Sequence, residues 1–541
     1  MFRVAVVSSV AWALVLSLPD GSTFAGDAIL LEGGTIVDGT GAPAYRGDLL
    51  ILDGRIHAVG QVPKVRNATR IDVEGMIVAP GFIDLHNHSD RSILTEGGKV
   101  ALNYLTQGVT TIVTGNCGSG HVNVARYYAR LERQGIGLNV AHLIPHGSLR
   151  QQVMGNVNRP PGEAELRRMK RLVERGMRAG AWGLSTGLIY TPGCYAETDE
   201  LIALARVVGS MGGIYASHIR GEGADRVMAA LREAVEIGAA SGAPVHISHL
   251  KASGPDAWGM MGEICRFLEQ QRARGQRVTA DQYPYTASST SVAAMVIPEE
   301  LREGGRDVFF QRLKDPEFGE RVRRSIEKRL QKRGGPQTIM VASLDRRPSW
   351  VGKTLDEIAK AAGMSPVNVV LEIEQLGGAG AVAFTMSEED VRLAMRQPWV
   401  ATASDGSARI PDNTKPHPRS YGCFPRKIGR YALEWGIISL EHAVRSSSGL
   451  PADILGLTDR GYIQPGKVAD LVVFDPDRFR DRATFEQPHQ YSEGVFYLFV
   501  NGELVIDRGR YTGALAGRPL RHAVSQRTAP RRTTNRSTAE E

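Results

Sequence analysis

The chain has 541 residues, of which 42% are hydrophobic and 23% charged, with 61 glycines. That length exceeds one ordinary domain and suits a large barrel with accessory modules around a sizeable core. The formal charge of +7 is mild for this size, and much of the excess lies in residues 321–333 and 518–536 rather than in a stripe interleaved with aromatic residues. These features fit a solvated basic surface and exclude nucleic acid as a partner class.

The first 25 residues stand apart. Arg3 supplies a short positive start, residues 4–18 are apolar except for Ser8, Ser9 and Ser17, and Thr23-Phe24-Ala25 offers small residues where a signal peptidase reads. This pattern predicts a signal peptide over 1–25 cleaved after Ala25, and a secreted or periplasmic mature protein. The run is too short for a comfortable membrane span, and no other stretch reaches spanning length, so no stable span is expected after cleavage. Export leads to an oxidising compartment. Yet Cys117, Cys194, Cys265 and Cys423 are spaced too widely and irregularly for a disulfide framework. Buried or metal-bound thiols are the readings that remain.

Residues 26–75 read as short strands (28–32, 35–38, 48–52, 55–59) separated by turns such as Asp53-Gly54. The other end matches them, with a strand over 469–475 and a hairpin over 494–505 around Asn501-Gly502. Both ends are therefore predicted to form one small β-sandwich, with 431–521 supplying the last helices and its C-terminal part. Residues 522–541 are polar and rich in Arg, Thr and Ser, as in a disordered tail.

The segment 76–430 alternates apolar strands (76–87, 109–114, 139–145, 183–190, 213–218, 245–249, 278–283, 400–405) with helical stretches such as 163–178 and 226–241. Eight such units predict an α/β fold of the TIM type, a (β/α)8 barrel. More than a hundred residues separate Tyr285 from Val400, with charged helical patterns over 298–332 and 354–375. An inserted lid subdomain over about 286–345 is expected there. No repeat beyond the β/α alternation is present.

Chemistry concentrates at strand ends. In Gly81-Phe82-Ile83-Asp84-Leu85-His86-Asn87-His88, the two histidines are two apart, so on a strand both enter the barrel rim where catalytic groups collect. Paired imidazoles there suit zinc or a similar borderline metal. Cys117 follows the second strand in Gly115-Asn116-Cys117-Gly118, either a metal-ligating thiolate or a small buried hydrophobe. His218 and His249 each end a strand in a Ser-His pair, at consecutive strands. His246, three before His249, is expected to face the opposite way and pack outside the barrel. Asp405 ends the eighth strand in Ser404-Asp405-Gly406, where a carboxylate beside an activated water can accept its proton and return it to a leaving amine.

This set resembles the amidohydrolase superfamily, with His-x-His on the first strand, His on the fifth and sixth and Asp on the eighth. Gly466-Lys467-Val468-Ala469-Asp470-Leu471-Val472-Val473-Phe474 is similar to that superfamily's closing strand. Many members carry a carboxylated Lys on the fourth strand. Here that strand reads Trp182-Gly183-Leu184-Ser185-Thr186-Gly187-Leu188, and Cys117 takes over, as in the N-acyl-D-amino-acid deacylase (D-aminoacylase) branch. Gly187-Leu188-Ile189-Tyr190, Asp281-Gln282-Tyr283-Pro284-Tyr285 and His417-Pro418-Arg419-Ser420-Tyr421-Gly422 also resemble segments of that branch, from about residue 27 to about 521.

The resemblance implies a tight zinc site of Cys117, His218 and His249, and a weaker second site of His86 and His88 with Cys117. It implies Asp405 as acid/base, and Arg419, Lys251 and Tyr283 facing the substrate carboxylate, with Tyr190 also on the substrate side and the insert covering the site. The implied substrate is a small N-acyl amino acid, cleaved to a carboxylate and a D-amino acid. The D stereochemistry comes from the resemblance alone. A thiolate ligand favours zinc over manganese or nickel. Cys423, within the same segment as Arg419, is expected to be merely packed. A cyclic amidase of the hydantoinase or dihydroorotase kind is the alternative on the same barrel, opposed by the missing Lys. A non-catalytic metal-binding barrel is the alternative of another class, opposed by Asp405 and the complete ligand set. Nothing in the sequence specifies an oligomeric state.

Overall fold

The computed structural model describes residues 28–62 and 65–524; the expected signal peptide and the tail from residue 525 lie outside the described residues. Eight parallel strands form the barrel. Phe82–Asp84, Val109–Thr114 and Asn139–His142 pair in that order, and the third continues as Ile144–Pro145 to pair with Gly183–Gly187. Then come Ile214–His218, Val245–Ile247, Val278–Gln282 and Val400–Thr402. The ring closes just beyond the strand ends. There Asp405 N–H donates to the His86 carbonyl at 2.8 Å, and His88 N–H donates to the Gly406 carbonyl at 2.7 Å.

Alternation along the strands sorts their side chains into two cores. Tyr215, Val245, Ile247, Val278 and Val400 pack outward with helix residues such as Leu204, Leu231 and Leu268. Ile83, Val113, Ala141, Ile214, Ala216 and Ala401 instead share a core with Leu450 and Leu455 of the helix Gly449–Leu455. The inward positions of the sixth and seventh strands are His246 and Asp281, whose side chains meet at 2.8 Å. His246 is thus inside the barrel, contrary to expectation. The alternation that predicted an outward ring runs through His249, but His249 lies past the strand with a left-handed backbone (φ 38°), which breaks the parity.

The stretch 76–87 is likewise not one strand. Ile77–Pro80 belongs to the sheet built by the chain ends, and only Phe82–Asp84 belongs to the barrel. Gly81 makes the crossing, because a Cβ there would lie 2.3 Å from Thr110 Cγ2. The two ends together form a continuous nine-stranded sheet. Leu31, Ile36, Leu49 and Ile51 from one end share a core with Leu471, Val473, Tyr497 and Phe499 from the other, so the expected sandwich is a single sheet packed on itself. Two-residue turns at Asp53-Gly54 and Asn501-Gly502, all with positive φ, match the twist of the strands they join. Order extends to the end of the described chain: His522 N–H donates to the Gly180 carbonyl and its ring meets Trp182.

The insert is longer than the spacing implied. Its three-stranded sheet joins Ser288–Ser291, Ile339–Ser343 and Gly380–Ala383, and one core runs from Val292 to Ala383. The helical pattern 298–332 is broken at Gly304-Gly305 and again at Asp315, whose side chain caps the helix Pro316–Lys332. The pattern 354–375 breaks where Gly363 turns left-handed and Ser365 caps Pro366–Gln375. Among the described residues no helix is long and apolar enough to cross a membrane.

Candidate active site

The rim gathers Cys117, His218, His249, His86, His88 and Asp405. Cys117 Sγ lies 3.2 Å from His86 Nε2, 3.5 Å from His218 Nδ1 and 3.7 Å from His249 Nε2. His218 Nδ1 and His249 Nε2 are 2.8 Å apart. Three overlapping sets each keep their ligand atoms within 4.8 Å: Cys117 with His218 and His249, Cys117 with His86 and His88, and His86 with His249 and Asp405. Four of the five His and Cys donors are buried, and His88 is partly so.

Local backbone geometry aims these groups. Cys117, His249 and Asp405 all adopt left-handed conformations, with φ of 50°, 38° and 49°. Such conformations cost non-glycine residues about 1–3 kcal/mol each and persist only where surroundings enforce them. Here the Gly118 N–H donates to Ser185 Oγ and the Gly115 N–H to Asp90 Oδ1, which fixes the Cys117 turn. The His249 N–H donates to Asp281 Oδ1 at 2.7 Å. Gly187 on the fourth strand completes the arrangement: a Cβ there would lie 2.1 Å from the Cys117 carbonyl oxygen. The strand that offers no Lys thus offers the room that brings the thiol in.

Burial alone would raise the Cys117 thiol, but the His86 and His218 imidazoles outweigh it and hold the group well below the usual thiol range. Burial also opposes the Asp405 carboxylate, and Arg419, His86 and His88 more than offset it, so Asp405 stays ionised. Arg419 Nη1 lies 2.8 Å from Asp405 Oδ2, and His88 Nε2 lies 3.0 Å from Oδ1. The guanidinium also stacks 4.7 Å over the Tyr283 ring. Cys423 is fully buried and its thiol is raised by burial; it packs beneath the site, with its sulfur 3.8 Å from the Ser404 carbonyl. None of the four cysteines forms a disulfide.

Two carboxylates not singled out in the sequence reading stand behind the imidazoles. Asp281 Oδ2 is 3.4 Å from His86 Nδ1 and 2.8 Å from His246 Nε2. Glu222 Oε1 is 3.1 Å from His249 Nδ1 and 3.9 Å from His218 Nε2. Carboxylates on the far ring nitrogens fix which nitrogen faces a metal and raise its basicity. Glu222 sits in a loop with no motif. Asp281 carried a signal, since it opens the Asp281-Gln282-Tyr283-Pro284-Tyr285 segment after an apolar strand.

Lys251 is placed differently from expectation. Its ammonium is enclosed 2.7 Å from Glu222 Oε1, 2.6 Å from His249 Nδ1 and 2.9 Å from the His249 carbonyl. A buried acid has claimed it, so it stands behind the site and does not line the cavity. Tyr283 is also covered, lying beneath Arg419 at 1% exposure. Arg419 and Tyr190 do line the cavity, which measures about 650 Å³ and also reaches Cys117, His88 and Asp405. Tyr190 stacks edge-on against His218 and shares a hydrogen bond with Thr290 of the insert. A side compartment of about 190 Å³ branches off at His88, Asp405 and Arg419. The insert helps to wall both spaces, through Ser289 and Thr290 in the larger and Ser343 and Gly380 in the smaller.

The profile of the amidohydrolase family matches residues 69–506. The chain is 36% identical to a D-aminoacylase of Alcaligenes xylosoxydans xylosoxydans, over 91% of this chain and 97% of that one. It is similar to a solved D-aminoacylase (34% identity, TM-score 0.78, 92% of this chain and 99% of that one) studied for a binuclear metal centre with one-metal activation and second-metal attenuation. It is equally similar to the N-acyl-D-glutamate deacylase of Bordetella bronchiseptica, solved with zinc and a phosphonate mimic of the tetrahedral intermediate (34% identity, TM-score 0.77, 92% and 99% coverage). With the barrel, its ligand-bearing rim and this extent of similarity together, the chain belongs to the amidohydrolase family.

Proposed function

We propose that this protein is a zinc-dependent N-acyl-D-amino-acid deacylase, cleaving a linear amide to a carboxylate and a D-amino acid. The observation that carries the reading is the convergence of Cys117, His218 and His249 on one point beside an ionised Asp405 that is paired with Arg419. Similarity over more than nine-tenths of the chain to enzymes of that activity supports it.

The donor set fits zinc: one thiolate and two imidazoles, the number of protein ligands that catalytic zinc sites use, with carboxylates behind the rings. Cys117, His218 and His249 would hold the tight ion, and His86 and His88 with Cys117 a weaker second one. Zinc, when bound, supplies Lewis acidity that activates water and polarises the acyl carbonyl. The protein's own groups do the rest. Asp405 accepts the proton of the attacking water and delivers it to the amide nitrogen as that bond breaks. Arg419 keeps Asp405 ionised, and its guanidinium, on the wall of both spaces, grips the substrate α-carboxylate. His88, donating to Asp405, holds the carboxylate toward the cavity. Tyr283 supports Arg419 from below, and Lys251 balances Glu222.

The reading is tested by amine release from N-acetyl-D-methionine and its L-enantiomer, with zinc removed and restored. Zinc-dependent release from the D-form alone supports it; release from neither sends the assignment to cyclic amides, which are then assayed. Export to the periplasm or exterior is also proposed, on Arg3, the apolar run 4–18 and Thr23-Phe24-Ala25. N-terminal sequencing of the protein from cell fractions tests this, with a start after Ala25 expected and an intact Met1 in the cytoplasm against it.

A further inference from the structure

The side compartment holds an arginine with no close ion-pair partner among the described residues. Its lining includes Arg409, on the loop after the eighth strand, together with Arg419 and Asp405. Asp405 and Arg419 neutralise each other at 2.8 Å. Arg409 is in no ion pair among the described residues, and its Nε is buried without a hydrogen-bond partner. The acid closest in sequence, Asp412, is hydrogen-bonded by Thr414 and lies 3.1 Å from His489, and it meets Arg409 only at longer range. Arg409 is half-buried and lines the compartment, so an anion entering there gains a guanidinium partner.

Two hydroxyls there can also donate. Ser343 Oγ accepts from the Gly380 N–H, which leaves its own proton free, and the Ser407 side chain has no protein partner among the described residues. The larger cavity has a different character: beyond the rim residues His88, Cys117, Asp405 and Arg419, its polar lining is neutral, with Gln151, Gln152, Ser119 and Thr290. The two spaces meet at Arg419. A substrate whose α-carboxylate sits on Arg419 would carry its side chain into the small compartment and its acyl group into the large one. The 190 Å³ compartment has the volume of about six waters, which suits a short side chain rather than an extended one.

We infer that the small compartment takes an acidic D-side chain, with its carboxylate bound by Arg409, so that the substrates are N-acyl derivatives of acidic D-amino acids. This rests on the deacylase reading above. The test compares kcat/KM for N-acetyl-D-glutamate and the isosteric N-acetyl-D-glutamine on the zinc-loaded enzyme and on Arg409→Gln. The wild type is expected to favour the glutamate by about 10- to 100-fold, the range of hydrogen bonds to a charged group, and Arg409→Gln to bring the ratio close to one. The ratio is internal to each protein, so partial misfolding does not move it. Arg409→Lys, which keeps the charge but loses the fork, is expected to retain a reduced preference. A wild-type ratio at or below one, or an unchanged ratio in Arg409→Gln, overturns the inference while leaving the deacylase reading intact. Release from no N-acyl-D-amino acid overturns both.

Discussion

Asp281 offers a stringent check on how the metal ligands are held. Its carboxylate is fully buried and serves three partners: the His249 N–H at 2.7 Å, His246 Nε2 at 2.8 Å and His86 Nδ1 at 3.4 Å. Burial opposes its charge, and the His86 and His246 rings nonetheless hold it far below the usual carboxylate range. Asp281→Asn keeps the volume and one acceptor, enough for the His249 N–H, but turns an NH₂ toward rings that need an acceptor. Charged hydrogen bonds contribute about 1.5–3 kcal/mol against about 0.5–1.5 for neutral ones, so losing the charge at two rings should destabilise the metal-free protein by about 2–3 kcal/mol. Groups behind metal ligands typically govern about 10–100-fold in metal affinity, and the same loss is expected here. Urea unfolding of the metal-free protein and zinc competition against a fluorescent chelator measure the two effects separately. A variant within 0.5 kcal/mol (about the error of such comparisons) and about twofold of wild type in zinc affinity would refute the claim that Asp281 organises the site.

Other consequences follow from single contacts. Gly187→Ala forces a Cβ against the Cys117 carbonyl, so the Cys117 turn must move. A stability loss of about 1–3 kcal/mol and weakened zinc binding are expected, with zinc content after dialysis as the readout. Cys117→Ser should fold but lose the tight zinc, since a hydroxyl remains protonated where the thiol is held as thiolate, and metal analysis checks it. Glu299 ties the insert to the barrel through Arg329 at 2.7 Å and Arg226 at 3.0 Å. Burial works against its charge, but the arginines lower it from 4.5 to about 2. A depressed carboxylate contributes stability that is present above the unfolded value and lost as pH falls through the folded one. Up to about 3 kcal/mol should therefore disappear between about pH 4.5 and 2, and Glu299→Gln should remove that part of the pH dependence in urea titrations.

The barrel and the ligand-bearing rim were readable because each ligand ends or follows a short strand of three to six residues flanked by glycine or serine, a pattern local to the chain. What the sequence concealed was set by tertiary geometry. His246 was misplaced because the left-handed turn at His249 is not visible in spacing. Glu222 lies on a loop and gains meaning only when that loop meets Lys251 and His249. Lys251 itself looked available for substrate until that acid was seen to claim it. The insert was cut short at about 345 because its third strand, Gly380–Ala383, returns far along the chain to pair with Ser288–Ser291. The short run Ile77–Pro80 was fused with the barrel strand because nothing but the glycine between them marks the crossing.

The central claim is that Asp405 moves the proton at a rim that holds zinc through other residues. The direct measurement is zinc content and turnover of N-acyl-D-amino acid side by side in wild type and Asp405→Asn. The account predicts zinc retained at the tight site and turnover reduced by about 10²–10⁴-fold, the usual contribution of a general acid/base. An Asp405→Asn protein that holds its zinc and turns over at the wild-type rate would contradict it.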